Sequence, residues 1–507
     1  MSGAPGDGLD DDDGDDGGAA LAAVVGAERA AAADAVAAAR FEPPSPGAPG
    51  LGDSLYPTLG NGGYQVEHYD LRLRYDTGGA LPSLDGTVHV VARATQSLSR
   101  FDLDFAGDSV GAVRVDGFPA AFTRDGEELV ITPPFPLLRG LPFLVTVEHF
   151  TATSAVAAPG VFPPPAFLAT PDGTAWVMQP NAAHQVFPSN DHTTDKASFS
   201  FRIDVPEGTT AFANGEQTAV HTHNGRSVYR FEQREPMATE LAQVAVGAFT
   251  VISRGEHAGV ALRDVVPTAL AADLEPKLAS VANHLDFMEQ LVGDYPFGSY
   301  GSLVARAAGG VGLETQTLSI YDAFFFTLPA ATYEPIMVHE IAHQWFGDSV
   351  APSQWADVWQ NEGHATWYEF SFRFGVDSPS FTGFMQQVYL FGDVFRQVFG
   401  PVASPPSGDV AVLFNQNVYF GGALVLYALR QQIGDAAFQQ LERTWVQTYR
   451  GKSASTADFI ALASQVSGQD LTAFLTEWLY GTTTPRPMPG HPDWTVMPAS
   501  AAAAASL

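Results

Sequence analysis

Cysteine is absent from this chain of 507 residues, so disulfides, thiolate nucleophiles and Cys-ligated metals are excluded together. Any metal must be held by histidine and carboxylate. Basic residues are scarce: 25 Lys and Arg stand against 56 Asp and Glu, a formal charge of -31 at pH 7. Such a field repels nucleic acid and anionic membrane, and no basic cluster is visible along the chain, so neither is expected as a partner. Uninterrupted apolar stretches of membrane-spanning length are missing as well, each long run being broken by Gly, Pro or charge. A soluble monomer is the expectation. The opening MSGAPGDGLDDDDGDD is acidic and cannot serve as the basic region of a signal peptide. Low lysine, absent cysteine and this leader suit an extracellular protein whose signal was removed or lies upstream of Met1; the cytoplasm is the alternative.

What is present divides the chain. At this length two to four domains are expected, and a hydrophobic content of 46% fills their cores. Residues 1–50 read as a flexible leader: Asp10 to Asp13 with Asp15 and Asp16 repel one another, Ala19 to Arg40 is alanine-rich, either disordered or loosely helical, and a Pro/Gly linker follows. From Tyr64 to about Phe249 the apolar period is two. Tyr69, Leu71, Leu73 and Tyr75 alternate with polar residues, as do Phe199, Phe201, Ile203 and Val205, which predicts an antiparallel β domain over 51–255. Asp116-Gly117 and Asn214-Gly215 mark turns. Helical rhythm takes over at 265–291, 335–347, 359–373, 421–433, 436–449, 456–466 and 470–480, giving a mixed, then helical, domain over 256–490 and a frayed tail over 491–507.

Within that second part, His339-Glu340-Ile341-Ala342-His343 places two imidazoles four residues apart, on one face of a helix opened by Pro335 and closed by Gly347. A third ligand must come from elsewhere, and Glu362, nineteen residues after His343 in a second helical pattern, is placed to return antiparallel. Two imidazoles and one carboxylate leave a fourth zinc position for water, a catalytic type of site. Glu340 can then act as general base without being a ligand. A bare His-Glu-x-x-His string also arises in ordinary amphipathic helices; Glu362 is what shifts the balance to one Zn2+ per chain. His364 points elsewhere on its helix and is expected to pack or line the cleft, and His68, His184 and His192 have no partner at ligand spacing.

The segments His339 to Asp348, Trp355 to Trp359 and Asn361-Glu362-Gly363 resemble the M1 family of zinc aminopeptidases, gluzincins related to aminopeptidase N and leukotriene A4 hydrolase. Phe187 to Asp191, Asp195 to Phe199 and Tyr419 to Ala423 extend the resemblance from about Gly62 to Tyr480. It implies a multidomain α+β fold: a β-sandwich-like domain, then a thermolysin-like catalytic domain. It also implies removal of N-terminal residues from peptides with a free amine.

The resemblance further implies roles. Glu314, in Gly310-Val311-Gly312-Leu313-Glu314-Thr315, would grip the substrate amine; Leu313, Thr315 and Val311 depart from the family's usual Met, Asn and Gly. Gln179 aligns, by its distance to Phe187-Pro188, with a second amine-binding position that is Glu or Gln in the family. Tyr419 would donate to the oxyanion while Glu340 moves the proton. Alternatives remain open on this motif: a zinc endopeptidase, an epoxide hydrolase, or an inactive peptide-binding protein. About 27 residues follow Tyr480, so the resemblance is to a short form without the C-terminal helical solenoid, with an open cleft and tolerance of substrate length.

Overall fold

Alternation of period two becomes pleated sheet from Tyr64 onward, because every second side chain then faces one side. The computed structural model describes residues 16–31, 42–158 and 160–498. Asp10 to Asp13 with Asp15, and the tail from residue 499, lie outside the described residues. On the strand Tyr64–Asp76 the side chains of Tyr69, Leu71, Leu73 and Tyr75 are buried, and on Ala197–Pro206 so are Phe199, Phe201, Ile203 and Val205. These two strands are central in an eight-stranded sheet that also holds Glu216–His223, Arg226–Met237, Ser83–Ala94 and Pro142–Thr153. Pairing is antiparallel with one exception there: Tyr64–Asp76 and Ala197–Pro206 run parallel, Leu71 opposite Phe201. The long intervening chain makes that crossover possible. Asp116 (φ 52°) and Gly117 (φ 80°) form the two-residue turn of a hairpin, both in the left-handed region such a tight turn needs. Smaller four- and five-stranded sheets complete the β-rich part around one apolar core.

The alanine-rich leader segment is helical over Asp16–Ala31 (α1). It seats Val25 against Val91 and Leu144 of the large sheet, with Leu21 beside them. Two apolar side chains suffice because Arg29 adds a hydrogen bond to the Pro142 carbonyl at 2.6 Å and an ion pair with Asp116.

Beyond Phe249 the architecture changes. The helical rhythm over 265–291 is split: Val260–Pro267 is a strand, in keeping with its β-branched residues, short helical turns follow over Thr268–Leu270 and Ala271–Leu274, and the long helix α2 begins at Val281 (Val281–Val292). Phe249–His257 and Val260–Pro267 belong to a five-stranded sheet with Ser299–Ala305, Ser319–Asp322 and, at its edge, Gly312–Leu313. Helices α3 (Ala330–His343), α4 (Trp359–Phe374), α5 (Pro379–Phe399), α6 (Gly422–Ile433), α7 (Asp435–Thr448), α8 (Thr456–Ser467) and α9 (Thr472–Tyr480) pack around a second core rich in Trp and Phe. A capping box at Ser455 and Asp458 starts α8. The helical end also holds a short strand, Lys452–Ala454, parallel to Val350–Pro352. Among the described residues one stretch, Val410–Ile433, has the length and apolarity of a membrane span; a π-turn interrupts it and most of its apolar part is buried in the helical core. An N-terminal β-rich part followed by a helical part is the α+β class expected.

The two parts dock through specific polar contacts. Thr193 Oγ1 donates to the Pro352 carbonyl at 2.7 Å, Ser453 Oγ donates to the Thr193 carbonyl at 3.0 Å, and the buried Lys196 ammonium donates to the Ser349 carbonyl at 3.0 Å. Burial lowers Lys196 to about 8, Asp348 and Glu240 pulling the other way.

Candidate metal centre and substrate cavity

Helix α3 begins at Ala330 rather than at Pro335, which lies inside it. Tyr333, buried against Phe326 with ring centroids 5.4 Å apart, holds the added first turn in place. The i, i+4 spacing brings His339 and His343 to the same face, ring centroids 4.8 Å apart. Glu362 projects from the first turn of α4 between them: its Oε2 is 3.3 Å from His339 Nε2 and 3.4 Å from His343 Nε2. Three donors bound to one tetrahedral zinc at about 2.0–2.1 Å would be separated by about 3.4 Å, so the donor set and its spacing fit that ion. His339, His343 and Glu362, all buried, form a group able to hold a metal.

The remaining ring nitrogens are also fixed. His339 Nδ1 lies 3.2 Å from Glu369 Oε2, and His343 Nδ1 lies 3.1 Å from the Phe346 carbonyl. Such partners set the tautomer that leaves Nε2 free for a metal. Glu369 is absent from the sequence reading, yet it stands seven residues after Glu362, two helical turns along the same face. Its signal was the spacing itself.

Electrostatics follow from packing several carboxylates around two imidazoles. Burial opposes ionisation of Glu362, but His343 and His339 hold its carboxyl down at about 2. Burial pushes Glu340 up to about 8 against the pull of the same imidazoles. His343 is raised to about 9, burial opposing and Glu314 and Glu362 prevailing. The cavity is a field of negative charge suited to a metal dication and an ammonium group.

Gln179, Glu314, His339, Glu340, His343, Glu362 and Tyr419 all line one cavity of about 300 Å³. Glu314 follows the edge strand Gly312–Leu313; it is buried, with Oε1 3.9 Å from His343 Nδ1. Gln179 reaches it from the β-rich part, Nε2 donating to Glu314 Oε1 at 2.6 Å. The amide therefore turns its donor to Glu314. Gln344, another residue the sequence reading left without a role, clamps this loop: its Nε2 donates to the Glu314 carbonyl at 2.9 Å and its Oε1 accepts from the Thr317 amide at 2.9 Å. Thr315 Oγ1 bonds the Leu318 carbonyl and closes the turn. A side chain at Gly312 would meet Glu340 Oε1 at 2.5 Å, so glycine there leaves room for that carboxylate.

Tyr419 sits on a π-helical turn, Asn417–Gly421, and its ring stacks on His339, centroids 5.8 Å apart at 12°. Widened turns of this kind are frequent at functional sites. Burial and the carboxylates Glu362, Glu314 and Glu340 push its phenol well above the ordinary value, so it stays protonated. Gly363 and Gly422 explain how α4 and this turn come so close: a Cβ on Gly363 would stand 2.9 Å from the Gly422 Cα. His364 packs, as its helix position suggests, stacked on Phe346 at 4.3 Å. His184 is buried and lies 2.7 Å from Asp191, a pair that takes no part in lining the cavity.

A β-rich N-terminal part, a helical part and a two-histidine, one-glutamate zinc triad define a gluzincin-type metallopeptidase. The comparisons narrow the class: the Peptidase family M1 domain matches residues 277–478 and the Peptidase M1 N-terminal domain matches residues 65–241. The chain belongs to peptidase family M1. A crystal structure of an M1 zinc metallopeptidase from Deinococcus radiodurans is 30% identical, with a TM-score of 0.74 over 87% of this chain and 98% of that one. Aminopeptidase N of Streptomyces lividans is 26% identical over 59% of this chain and 36% of its own length. Leukotriene A-4 hydrolase of Xenopus laevis is 25% identical over 78% of this chain and 67% of its own. This chain thus spans about a third of the Streptomyces protein and two thirds of the Xenopus one, but nearly all of the Deinococcus protein.

Proposed function

We propose that this protein is a zinc-dependent aminopeptidase, removing N-terminal residues from peptides with a free amine. The observation that carries the reading is Glu314: a buried carboxylate in the same cavity as the zinc triad, where an uncharged internal peptide would offer it no partner. An α-ammonium group would supply the charge-assisted hydrogen bonds that offset desolvation on both sides. Gln179 donates through Nε2 to Glu314 and leaves its own carbonyl as a second acceptor. A substituted form of the Deinococcus protein was solved bound to a Tyr-Ser-Ala substrate, in keeping with peptide chemistry on this fold.

His339, His343 and Glu362 would hold the metal. Zinc bound there supplies Lewis acidity, lowering the pKa of water and polarising a carbonyl. Glu340 takes the proton of the attacking water and delivers it to the departing nitrogen. The Tyr419 phenol, kept protonated by its surroundings, donates to the oxyanion that develops on the scissile carbonyl. Glu314 orients the first residue so that the first peptide bond is the one presented.

The experiment is hydrolysis of a free-amine oligopeptide followed by mass spectrometry, before and after chelation and zinc return. Stepwise loss of N-terminal residues, stopped by chelator and restored by zinc, is expected. Internal cleavage with the first residue retained would reject the reading.

A further inference from the structure

The cavity has two chemically different ends, and amine recognition occupies only one of them. Glu314 and Gln179 stand at the His343 end, Glu314 Oε1 lying 3.9 Å from His343 Nδ1. The opposite end is reached past His339, whose Nδ1 faces Glu369 and whose ring stacks with Tyr419. There the lining turns apolar, with Phe325, Ile336, Phe370 and Phe420 contributing to it.

Each of the four is placed at that end by its own element. Ile336 lies one turn before His339 and Glu340 on α3, on the face they share. Phe325 comes from the 3₁₀ turn Ala323–Thr327 that precedes α3, and its ring would stand 3.8 Å from a Cβ at Gly312. From Gly312 the edge strand Gly312–Leu313 leads away toward Glu314. Phe370 follows Glu369 on α4, and Phe420 follows Tyr419 on the π-turn. Both pack on Phe384 of α5, at centroid distances of 3.9 Å and 5.9 Å, so the two rings are held in place. Phe325, Ile336 and Phe420 are only half-buried. Such surface inside a cavity gains from being covered by an apolar group of a ligand.

Charge at this end points the same way. Among the described residues lining the cavity none is Lys or Arg, whereas Glu340, Glu362 and Glu369 all line it. An acidic group placed there would meet carboxylates and no cation.

A peptide held by its amine at Glu314 has its direction fixed. Its first carbonyl falls at the triad, where Glu362 Oε2 is 3.3 Å from His339 Nε2 and 3.4 Å from His343 Nε2. The side chain of the first residue branches before that carbonyl, on the Glu314 side. The side chain of the second residue branches beyond the departing nitrogen, on the Phe325 side.

We propose that Phe325, Ile336, Phe370 and Phe420 select the second residue of the peptide, favouring a large apolar side chain and rejecting an acidic one. Resting on the aminopeptidase reading, this names the substrate class: free-amine peptides whose second residue resembles leucine or phenylalanine. Charge recognises the amine, and apolar area recognises the leaving group.

The test uses the zinc-loaded full-length protein and free-amine pentapeptides that begin with alanine and differ only in the second residue: leucine, phenylalanine, alanine or aspartate. Release of the first residue from equimolar mixtures, followed by mass spectrometry, gives the ratios of kcat/KM. Leucine and phenylalanine should exceed alanine by about 10-fold, the low end for an apolar pocket because this one is partly open. Aspartate should be slowest. Ile336→Lys, which puts a cation at the apolar end, should reverse the order of alanine and aspartate. Phe325→Ala, a milder change on a half-exposed turn, should shrink the leucine-to-alanine ratio several-fold. A parallel series varying the first residue should keep its order in both variants. Equal rates whatever the second residue, or variants that reorder the first-residue series instead, would overturn the proposal and leave the aminopeptidase reading standing. Failure to release the first residue from any peptide would overturn both.

Discussion

The two sides of the substrate cavity are built differently. His339 and Glu362 are 23 residues apart on adjacent helices. Gln179 and Glu314 are 135 residues apart, one from the β-rich part and one from a loop after an edge strand. The metal side is thus set by helix periodicity and by the close α4–α6 contact at Gly363 and Gly422, whereas the Gln179–Glu314 pair, the proposed amine side, exists only when the two parts of the chain dock. Damage to docking should therefore reach substrate selection before it reaches metal binding.

The largest separation of the two sides is expected from Glu340→Gln. Turnover should fall by about 100- to 10,000-fold while zinc content by elemental analysis stays at one per chain; an equal loss of zinc would mean that Glu340 serves the metal. His343→Ala should instead empty the site. Next comes Glu314→Gln, which removes the charge from the amine side alone. Loss of a buried charged hydrogen bond costs about 1.5–3 kcal/mol, roughly 10- to 150-fold in kcat/KM for free-amine peptides, with zinc affinity unaltered in a chelator competition. Glu369→Gln works in the other direction: zinc affinity should weaken by about 10- to 100-fold, and the ratio of free-amine to blocked substrate should hold.

The smallest effect is expected at the junction of the two parts. Burial pushes the Glu240 carboxyl from 4.5 up to about 8, Asp191 and Glu314 adding and Lys196 opposing. The folded state then keeps a proton that the unfolded chain loses above pH 4.5, so stability contributed at low pH is lost as pH rises from about 4.5 to about 8. Denaturant melts at pH 5 and pH 8 should show a decline on the order of 2 kcal/mol that flattens in Glu240→Gln; an unchanged slope would exclude Glu240 as its source.

The same contrast explains what the sequence made legible. The imidazole pair is written in an i, i+4 spacing, and Glu362 in a nearby helical pattern, so local periodicity suffices. Glu369 follows the same rule at two turns and was open to the same reasoning. Pro335 misled about where α3 begins, because tertiary packing of Tyr333 on Phe326 holds a turn that local preference does not announce. The split of 265–291 reflects pairing of Val260–Pro267 both with its sequence neighbour Phe249–His257 and with the more distant Ser299–Ala305, which an apolar helical rhythm alone does not report. The register of the large sheet is the extreme case: Leu71 and Phe201 stand opposite one another only through the parallel pairing of two strands far apart in sequence.

A carboxylate contributed by long-range folding, beside a locally encoded zinc triad, is proposed to confine hydrolysis to the first peptide bond. Its most direct test is the ratio of kcat/KM for one peptide with a free amine and its N-acetyl twin, measured in the parent and in Glu314→Gln. A preference for the free amine of roughly 10- to 150-fold in the parent, collapsing in the variant, is the predicted result. Equal cleavage of both peptides by the parent, or a preference that survives Glu314→Gln, would contradict it.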